Sequence, residues 1–412
     1  MEQRNVVWMD GLSSRGIDLG LDRIRELMHR LGDPQDRLRT VHVAGSNGKG
    51  STCAMIESIV RSSGLRSGKF TSPEVLSVTE CFQVDGRDVS IEKLDSTIGK
   101  VRPHVEAMAV EGMLCTRFEV LTATAFLLFS EERVDVAVIE VGMGGREDST
   151  NVIIPEVSVI TSLSMEHAAF LGPTIGDIAR AKAGIMKKGV PCVYLGNPET
   201  DSVIGEEAEE LGCPTVRVDR TSVKLVELGM SGSVISYKGQ RYEIGIPGSY
   251  QMENAALAVE AVRQIENKEG PWDIESGLSS CHLPFRMQHV EGTRIIVDPT
   301  HTTAGAVVLA KDVPRIYGKT NVVTGMLSDK DHVGILKEIS KIGRVYLAPL
   351  SSPRAAKVET MSEAAEKVGC PVTVCGSVAE AMDLATSEEG YTLVTGSFVA
   401  VREALEWLET KS

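Results

Sequence analysis

The segment Val41-His-Val-Ala-Gly-Ser-Asn-Gly-Lys-Gly-Ser-Thr52 constrains the fold more than any other part of the chain. An apolar run, a glycine-rich turn with one lysine, and a helix opening at Ser51 and Thr52 follow one another without a break. A strand, a tight turn and a helix in that order belong to a parallel α/β sheet. The same arrangement suits a triphosphate. Glycines let successive N–H groups turn inward toward anionic oxygens, and the following helix presents its positive end to the same anion. Lys49 can neutralise β/γ oxygens, and the Ser51 or Thr52 hydroxyl can hold Mg²⁺. Asn47, Gly48, Lys49, Gly50, Ser51 and Thr52 are therefore the predicted nucleotide loop. The spacing departs from the common G-x-x-x-x-G-K-[ST]: Gly50 stands between Lys49 and Ser51, and Gly45 comes only three residues before Gly48. His42 is read as a strand residue without a ligand role.

A length of 412 residues exceeds one ordinary core, so two or three domains are expected. The composition, 42% hydrophobic and 24% charged, is that of a globular protein. A net charge of −14 without a long basic run argues against nucleic-acid and anionic-membrane partners. Low aromatic content, 4%, argues against a base-stacking platform. The eight cysteines are scattered with no C-x-x-C pair, which reads as free thiols in a reducing compartment. No signal peptide or apolar run of membrane length is seen, so a cytoplasmic location is expected.

Apolar strands alternate with helical patterns almost throughout. Strands are predicted near Arg39–Ala44, Arg66–Phe70, Asp135–Val141, Val157–Leu163, Pro191–Leu195 and Thr215–Val218, with helices between them, one over Ile175–Lys187. The alternating stretch Ser222–Ile246 reads as antiparallel hairpins covering a sheet edge. The alternation restarts after Leu283-Pro284-Phe285, with a short helix predicted at Gly305–Leu309. The expected architecture is α/β: a P-loop, mostly parallel sheet domain over residues 1–284 and a smaller doubly wound α/β domain over 285–412. Two such domains suggest a cleft that closes on substrate.

In parallel sheets ligands gather beyond the carboxyl ends of strands. Glu140 ends one apolar strand before Gly142-Met-Gly-Gly145-Arg146, placed like a carboxylate that reaches Mg²⁺. His167, in Ser164-Met-Glu166-His167, follows the next strand and can bind a metal, although Mg²⁺ prefers oxygen. The Ser72 hydroxyl, in Thr71-Ser72-Pro73, can complete such a shell. Lys182 lies on a helix, where a lysine is ordinarily a solvated charge, and residue chemistry alone does not select it.

Taken together these motifs resemble the folylpolyglutamate synthase/dihydrofolate synthase family of the Mur-ligase superfamily. The similarity runs through Leu19-Gly-Leu-Asp-Arg-Ile24, Gly45-Ser-Asn-Gly-Lys-Gly-Ser51, Thr71-Ser-Pro73, Thr116-Arg-Phe-Glu119 and Glu140-Val-Gly-Met-Gly-Gly-Arg-Glu-Asp-Ser-Thr-Asn151. It continues through Lys182-Ala-Gly-Ile185, Asn254-Ala-Ala256 and Thr395-Gly-Ser397. The resemblance implies a Mur-ligase-like ATP-binding domain and a C-terminal glutamate-ligase domain. It implies ATP and Mg²⁺ as cofactors and an acyl phosphate captured by an amine. By position, Ser51, Ser72, Glu140 and His167 would form the Mg²⁺ shell, and Lys182 matches a carbamylated lysine. Lys49, Glu140, His167 and Lys182 would be the catalytic set. Asn254, Arg286, Asp298 and His301 match nucleotide contacts, and Phe118, Asp148 and Ser149 a pterin site. An aromatic ring can stack on a flat heterocycle, and a carboxylate can pair with amino-pyrimidine donors.

Departures from the family pattern are local. D-G-A-H-N-P reads Asp298-Pro-Thr-His301-Thr-Thr303, and G-R-x-E reads Phe285-Arg286-Met-Gln288. S-P-H reads Ser72-Pro-Glu74, and D-H reads Glu166-His167. The reading is an ATP-dependent ligase adding L-glutamate to dihydropteroate, a reduced folate, or both, acting as a monomer on small molecules. The alternatives are a Mur-type amide ligase with another acceptor, a P-loop ATPase without ligase activity, and a nucleotide-binding protein without catalysis.

Overall fold

The computed structural model describes residues 3–411. The chain divides into two compact units. One comprises Met1–Lys224, Tyr237–Tyr242 and Glu253–Cys281; the other comprises Leu225–Ser236, Glu243–Met252 and His282–Ser412.

The first unit is built on eight strands: β1 (Thr40–Ala44), β2 (Ser67–Phe70), β3 (Phe82–Val84), β4 (Arg87–Asp88), β5 (Val136–Glu140), β6 (Val157–Ile160), β7 (Cys192–Leu195) and β8 (Thr215–Val218). Their order is β4-β3-β2-β5-β1-β6-β7-β8. The strands from β2 to β8 in that order are parallel, and β3 and β4 add an antiparallel edge. Every residue of β1, β2, β5 and β6 is buried, as expected of parallel strands covered on both faces. In register, Val43 lies opposite Glu140 on one side and Val159 on the other. The carboxyl ends of β2, β5, β1 and β6 therefore stand side by side, about 5 Å apart from strand to strand. Ser72, Glu140, the glycine loop and the 161–167 turn follow those four ends.

The stretch predicted as hairpins forms β9 (Val223–Gly229), β10 (Gly232–Tyr237) and β11 (Gln240–Ile244). They make a three-stranded sheet of their own, not an extension of either larger sheet. The second unit carries β12 (Gln288–His289), β13 (Ile295–Val297), β14 (Thr320–Thr324), β15 (Val345–Leu347), β16 (Val372–Val374) and β17 (Tyr391–Thr395), in the order β12-β13-β17-β14-β15-β16. All pairs are parallel except β12 with β13.

Three elements differ from their sequence predictions. The helix predicted over 175–187 ends at Ala183. The Gly184 carbonyl there accepts from Asn151 Nδ2. The strand predicted to Leu163 ends at Ile160, because 161–164 turns to hydrogen-bond the glycine loop. The short helix predicted at 305–309 runs from Thr303 to Tyr317. Its later turns contain Asp312 and Pro314, and Asp312 is fully buried and accepts the Ser249 N–H at 2.6 Å. All eight cysteines are buried and free. No described helix is long and apolar enough to cross a membrane.

The helix Ile274–Ser279 packs on the helix Lys49–Ser62, with Gly277 at the contact. A Cβ at Gly277 would lie 2.5 Å from the Ile59 Cα and 2.8 Å from its N, atoms that no rotamer can move aside. We expect Gly277→Ala to cost about 1–3 kcal/mol of unfolding free energy, as overpacking does. Urea titration measures it; an unchanged midpoint would mean that the two helices separate freely.

Candidate active site

The glycine loop is fixed by hydrogen bonds to the turn after β6. The Asn47 carbonyl accepts from Thr161 Oγ1 at 2.8 Å and Ser162 Oγ at 3.0 Å. Ser46 Oγ donates to the Ser164 carbonyl, and Asn47 Nδ2 to Ser164 Oγ at 3.2 Å. Gly48 precedes the helix Lys49–Ser62 with φ 89°, a left-handed conformation that glycine adopts at little cost. A Cβ there would stand 2.3 Å from Asn254 Oδ1, so the side chain predicted from the later helix does lie against the loop.

Two ammonium groups converge on one carbonyl. Lys49 Nζ donates to Gly45 O at 3.0 Å, and Lys182 Nζ donates to the same oxygen at 2.8 Å. Lys182 is 1% exposed, not the solvated charge that its helical context suggested. It occupies the buried stripe of its helix with Ile178 and Ala179, at i−4 and i−3 spacing. Its ion partner is Glu166, at 2.7 Å. Burial, and then the neighbouring Lys49 charge, pull Lys182 down to about 8 against the attraction of Glu166. Burial raises the Glu166 carboxyl, but Lys182 and Lys49 outweigh it and leave the group below the usual carboxylate range.

The run after β5 shows why its glycines are needed. A Cβ on Gly142 would lie 2.4 Å from the Phe118 ring, and one on Gly145 2.7 Å from the Ala181 carbonyl and 3.0 Å from Lys182 Cα. Arg146 N–H donates to the Ala181 carbonyl. The same backbone thus touches Phe118 on one side and the lysine-bearing helix on another. Phe118 is half-buried and stacks on Phe70 with centroids 6.1 Å apart. Its neighbour Glu119 is buried, closes a capping box with Thr116 and accepts from Arg23 Nε. Asp148 is 2% exposed and caps the turn holding Ser149. Met143 N–H reaches its Oδ2 at 2.8 Å, and Thr150 donates to its Oδ1. Burial raises the Asp148 carboxyl, against these hydrogen bonds.

The metal assignment can be tested against the donor set. Glu140, 5% exposed, faces the first helical turn: a Cβ on Gly50 would lie 3.5 Å from its Oε2. Ser51 is buried in that turn. Ser72 follows β2, and His167 follows β6 with φ 47°. Among the described residues no group of three His, Cys, Asp or Glu is placed to hold a metal. One carboxylate and two hydroxyls suit an ion such as Mg²⁺, which keeps several waters and is completed by substrate phosphates.

In the second unit, Asp298 follows β13 and is buried, accepting from Met287 N–H and Thr300 N–H. The Arg286 guanidinium carbon lies 5.8 Å from the Phe398 ring centroid, and the His301 ring 5.8 Å from the same centroid. Phe398 thus joins two predicted nucleotide contacts, and sequence reasoning passed over it. The departures at this end have local partners. Thr302 caps the helix Thr303–Tyr317, and Thr303 Oγ1 donates to Asp331 at 2.8 Å. Gln288 Oε1 accepts the Phe285 N–H. Phe285, where the family pattern has glycine, carries φ 62°. Glu74 pairs with Arg117 at 2.6 Å.

Residues 43–262 match the Mur ligase middle domain, and residues 285–398 match the Mur ligase glutamate ligase domain. The fold and the loop are those of a Mur-type ligase. The chain is 36% identical to the dihydrofolate synthase/folylpolyglutamate synthase of Bacillus subtilis, over 87% of each chain. Mycobacterium tuberculosis folylpolyglutamate synthase, solved with ADP and AMPPCP, superimposes with a TM-score of 0.88 at 30% identity over 99% of each chain. Escherichia coli FolC, solved with DHPP and ADP, gives 0.84 at 30% identity over 99% of this chain and 98% of that one. A bifunctional folylpolyglutamate synthase/dihydrofolate synthase solved with Mn, AMPPNP and L-glutamate gives 0.84 at 30% identity over 98% of each. The chain belongs to the folylpolyglutamate synthase/dihydrofolate synthase family of Mur ligases.

The buried Lys182 carries a pH signature. Its folded value near 8 lies below the ordinary 10.5, so between those two values the unfolded chain holds a proton that the folded chain has lost. Stability from this group is lowest below about pH 8 and rises as pH climbs toward 10.5. Relative to Lys182→Met, the wild type should gain about 2 kcal/mol between about pH 7 and about pH 9.5. Urea titrations of both proteins at the two pH values measure it; a constant difference would show that Lys182 keeps its proton in the folded protein.

Proposed function

We propose that the chain is an ATP- and Mg²⁺-dependent ligase that joins L-glutamate to the carboxylate of dihydropteroate, of a reduced folate, or of both. The observation that carries this reading is the convergence of Lys49 and Lys182 on the Gly45 carbonyl, at a helix N-terminus beyond the carboxyl ends of parallel strands. A carboxylate is a poor electrophile because oxide is a poor leaving group. In the proposed reaction a carboxylate oxygen of the acceptor attacks the γ-phosphorus, and the bond to the departing ADP oxygen breaks. The glutamate amine, having lost its proton, then attacks the acyl carbon. An amide forms and phosphate leaves.

Lys49, aided by the backbone N–H groups of the loop, holds negative charge on the transferring phosphoryl. Ser51, Ser72, Glu140 and His167 are the residues that would hold Mg²⁺, which neutralises phosphate charge when bound. Phe118, Asp148 and Ser149 form the acceptor side. Asn254 stands against the glycine loop in the first unit, and Arg286, Asp298 and His301, supported by Phe398, are the candidate nucleotide contacts of the second unit. Lys182, brought toward neutrality by burial, can give up its ammonium proton and then add carbon dioxide as a carbamate with loss of a second proton, which takes its charge from positive to negative. Glu166, which pairs with the cationic form, would then face a like charge.

The test is ADP release with Mg²⁺-ATP and L-glutamate, using dihydropteroate, tetrahydrofolate or no acceptor, with products read by mass. We expect ADP to depend on an acceptor, and a mass gain of one glutamyl residue on at least one of the two. Gly48→Ala should sharply reduce both signals, because φ 89° strains an alanine and its Cβ would displace Asn254 Oδ1 from the loop. Acceptor-independent ADP release with no new amide would overturn the ligase reading in favour of an ATPase.

A further inference from the structure

The central strand β1 buries a histidine that the reaction above does not use. His42 is fully buried, as is Thr150, and Asp148 nearly so. The three are linked in a row: His42 Nε2 lies 2.8 Å from Thr150 Oγ1, and Thr150 Oγ1 lies 2.5 Å from Asp148 Oδ1. His42 Nδ1 has no hydrogen-bond partner.

The chemistry of the row fixes its direction. A threonine hydroxyl has one proton to give. The short contact to Asp148 is that of a hydroxyl donating to a carboxylate. The Thr150 oxygen must then accept, so His42 carries its proton on Nε2 and leaves Nδ1 as a bare acceptor. Burial, with Lys187 adding to it, lowers His42 to about 3 and keeps the ring neutral. The opposite tautomer would bury an unpartnered N–H at Nδ1 and aim the Thr150 proton back at the ring, taking it from Asp148.

As packing, this row is costly. A leucine on the covered strand and a valine in the turn Ser149–Val152 would fill similar space without an orphaned nitrogen. What the row does supply is a committed Asp148. The Oδ1 atom takes Thr150 Oγ1–H and Thr150 N–H, and Oδ2 takes Met143 N–H. One lone pair of Oδ2 is left for an outside donor, beside the Gly142 backbone that touches Phe118.

We propose that His42 and Thr150 are positioning residues for the acceptor: the relay from His42 through Thr150 to Asp148 holds the carboxylate with Oδ2 offered to the N–H donors of an amino-pyrimidine ring. The proposal rests on the assignment of Asp148 to the acceptor site. It places acceptor recognition partly on the strand that also carries the nucleotide loop.

The test uses the full-length enzyme with dihydropteroate as the varied acceptor, and separately with ATP varied. The variants are Thr150→Val, the double variant His42→Leu/Thr150→Val, and Asp148→Asn. We expect Thr150→Val and the double variant to raise the dihydropteroate KM about tenfold, the equivalent of about 1.4 kcal/mol, and to leave the ATP KM unchanged. The double variant should unfold at a urea concentration close to that of the wild type, which a purely structural role would not allow. In ¹⁵N spectra of the histidine rings, the signal lost in a His42 variant should be that of a neutral ring protonated at Nε2.

A raised KM for Asp148→Asn together with wild-type values for Thr150→Val would overturn the relay and leave the acceptor site standing. An unchanged KM for Asp148→Asn would remove the acceptor assignment and the relay with it. A His42 ring protonated at Nδ1 would overturn the relay even where the double variant does not fold.

Discussion

One carbonyl oxygen, that of Gly45, accepts from two lysines that lie far apart in sequence. Like charges held together in a half-buried site repel, and desolvation adds to the cost. Glu166 offsets part of it. The arrangement persists because each lysine is fixed by its own helix: Lys49 by the turn at Gly48, and Lys182 by the apolar stripe of Ile175–Ala183. The result is one cation, Lys49, at the positive end of a helix as the electrostatic counterpart of a phosphate chain, beside a lysine, Lys182, that burial brings toward neutrality.

Strand order supplies the rest of the site. With β1 between β5 and β6, and β2 beyond β5, four successive strand ends deliver Ser72, Glu140, the glycine loop and the Glu166–His167 turn. No long loop is needed to gather them. The Gly142–Arg146 run then ties Phe118, Asp148 and the Lys182 helix to one stretch of backbone, and each glycine there leaves room for a neighbour that a side chain would displace. The second unit repeats the device on a smaller scale. Asp298 follows β13 next to β17, after which Ser397 Oγ donates to Gly325 O beyond β14.

Much of this was legible in the sequence. The parallel strands announce themselves as short apolar runs, and the loop by its glycines, lysine and hydroxyls. Asn254 against Gly48 came from the family resemblance, and the structure gives it a contact. Lys182 was not legible from residue chemistry, because helical periodicity reports a stripe and says nothing about a carbonyl on another element. Glu166 was read as a motif letter and proves to be the ion partner of Lys182. The helix Thr303–Tyr317 extends well beyond the predicted 305–309, and its later turns, with Asp312 and Pro314, are held by the tertiary hydrogen bond that Asp312 accepts from Ser249 N–H. His42 looked like strand filler, and its neighbour Thr150 lies in a separate motif, so the link between them appears only in three dimensions.

The central claim is that the loop around Lys49 and Lys182 serves phosphoryl transfer to a carboxylate. The most direct measurement uses dihydropteroate labelled with ¹⁸O in its carboxylate, turned over with Mg²⁺-ATP and L-glutamate. Activation as an acyl phosphate leaves one labelled oxygen in the phosphate released for each amide formed. Amide formation with unlabelled phosphate would contradict the account, because the carboxylate would then have been activated in some other way.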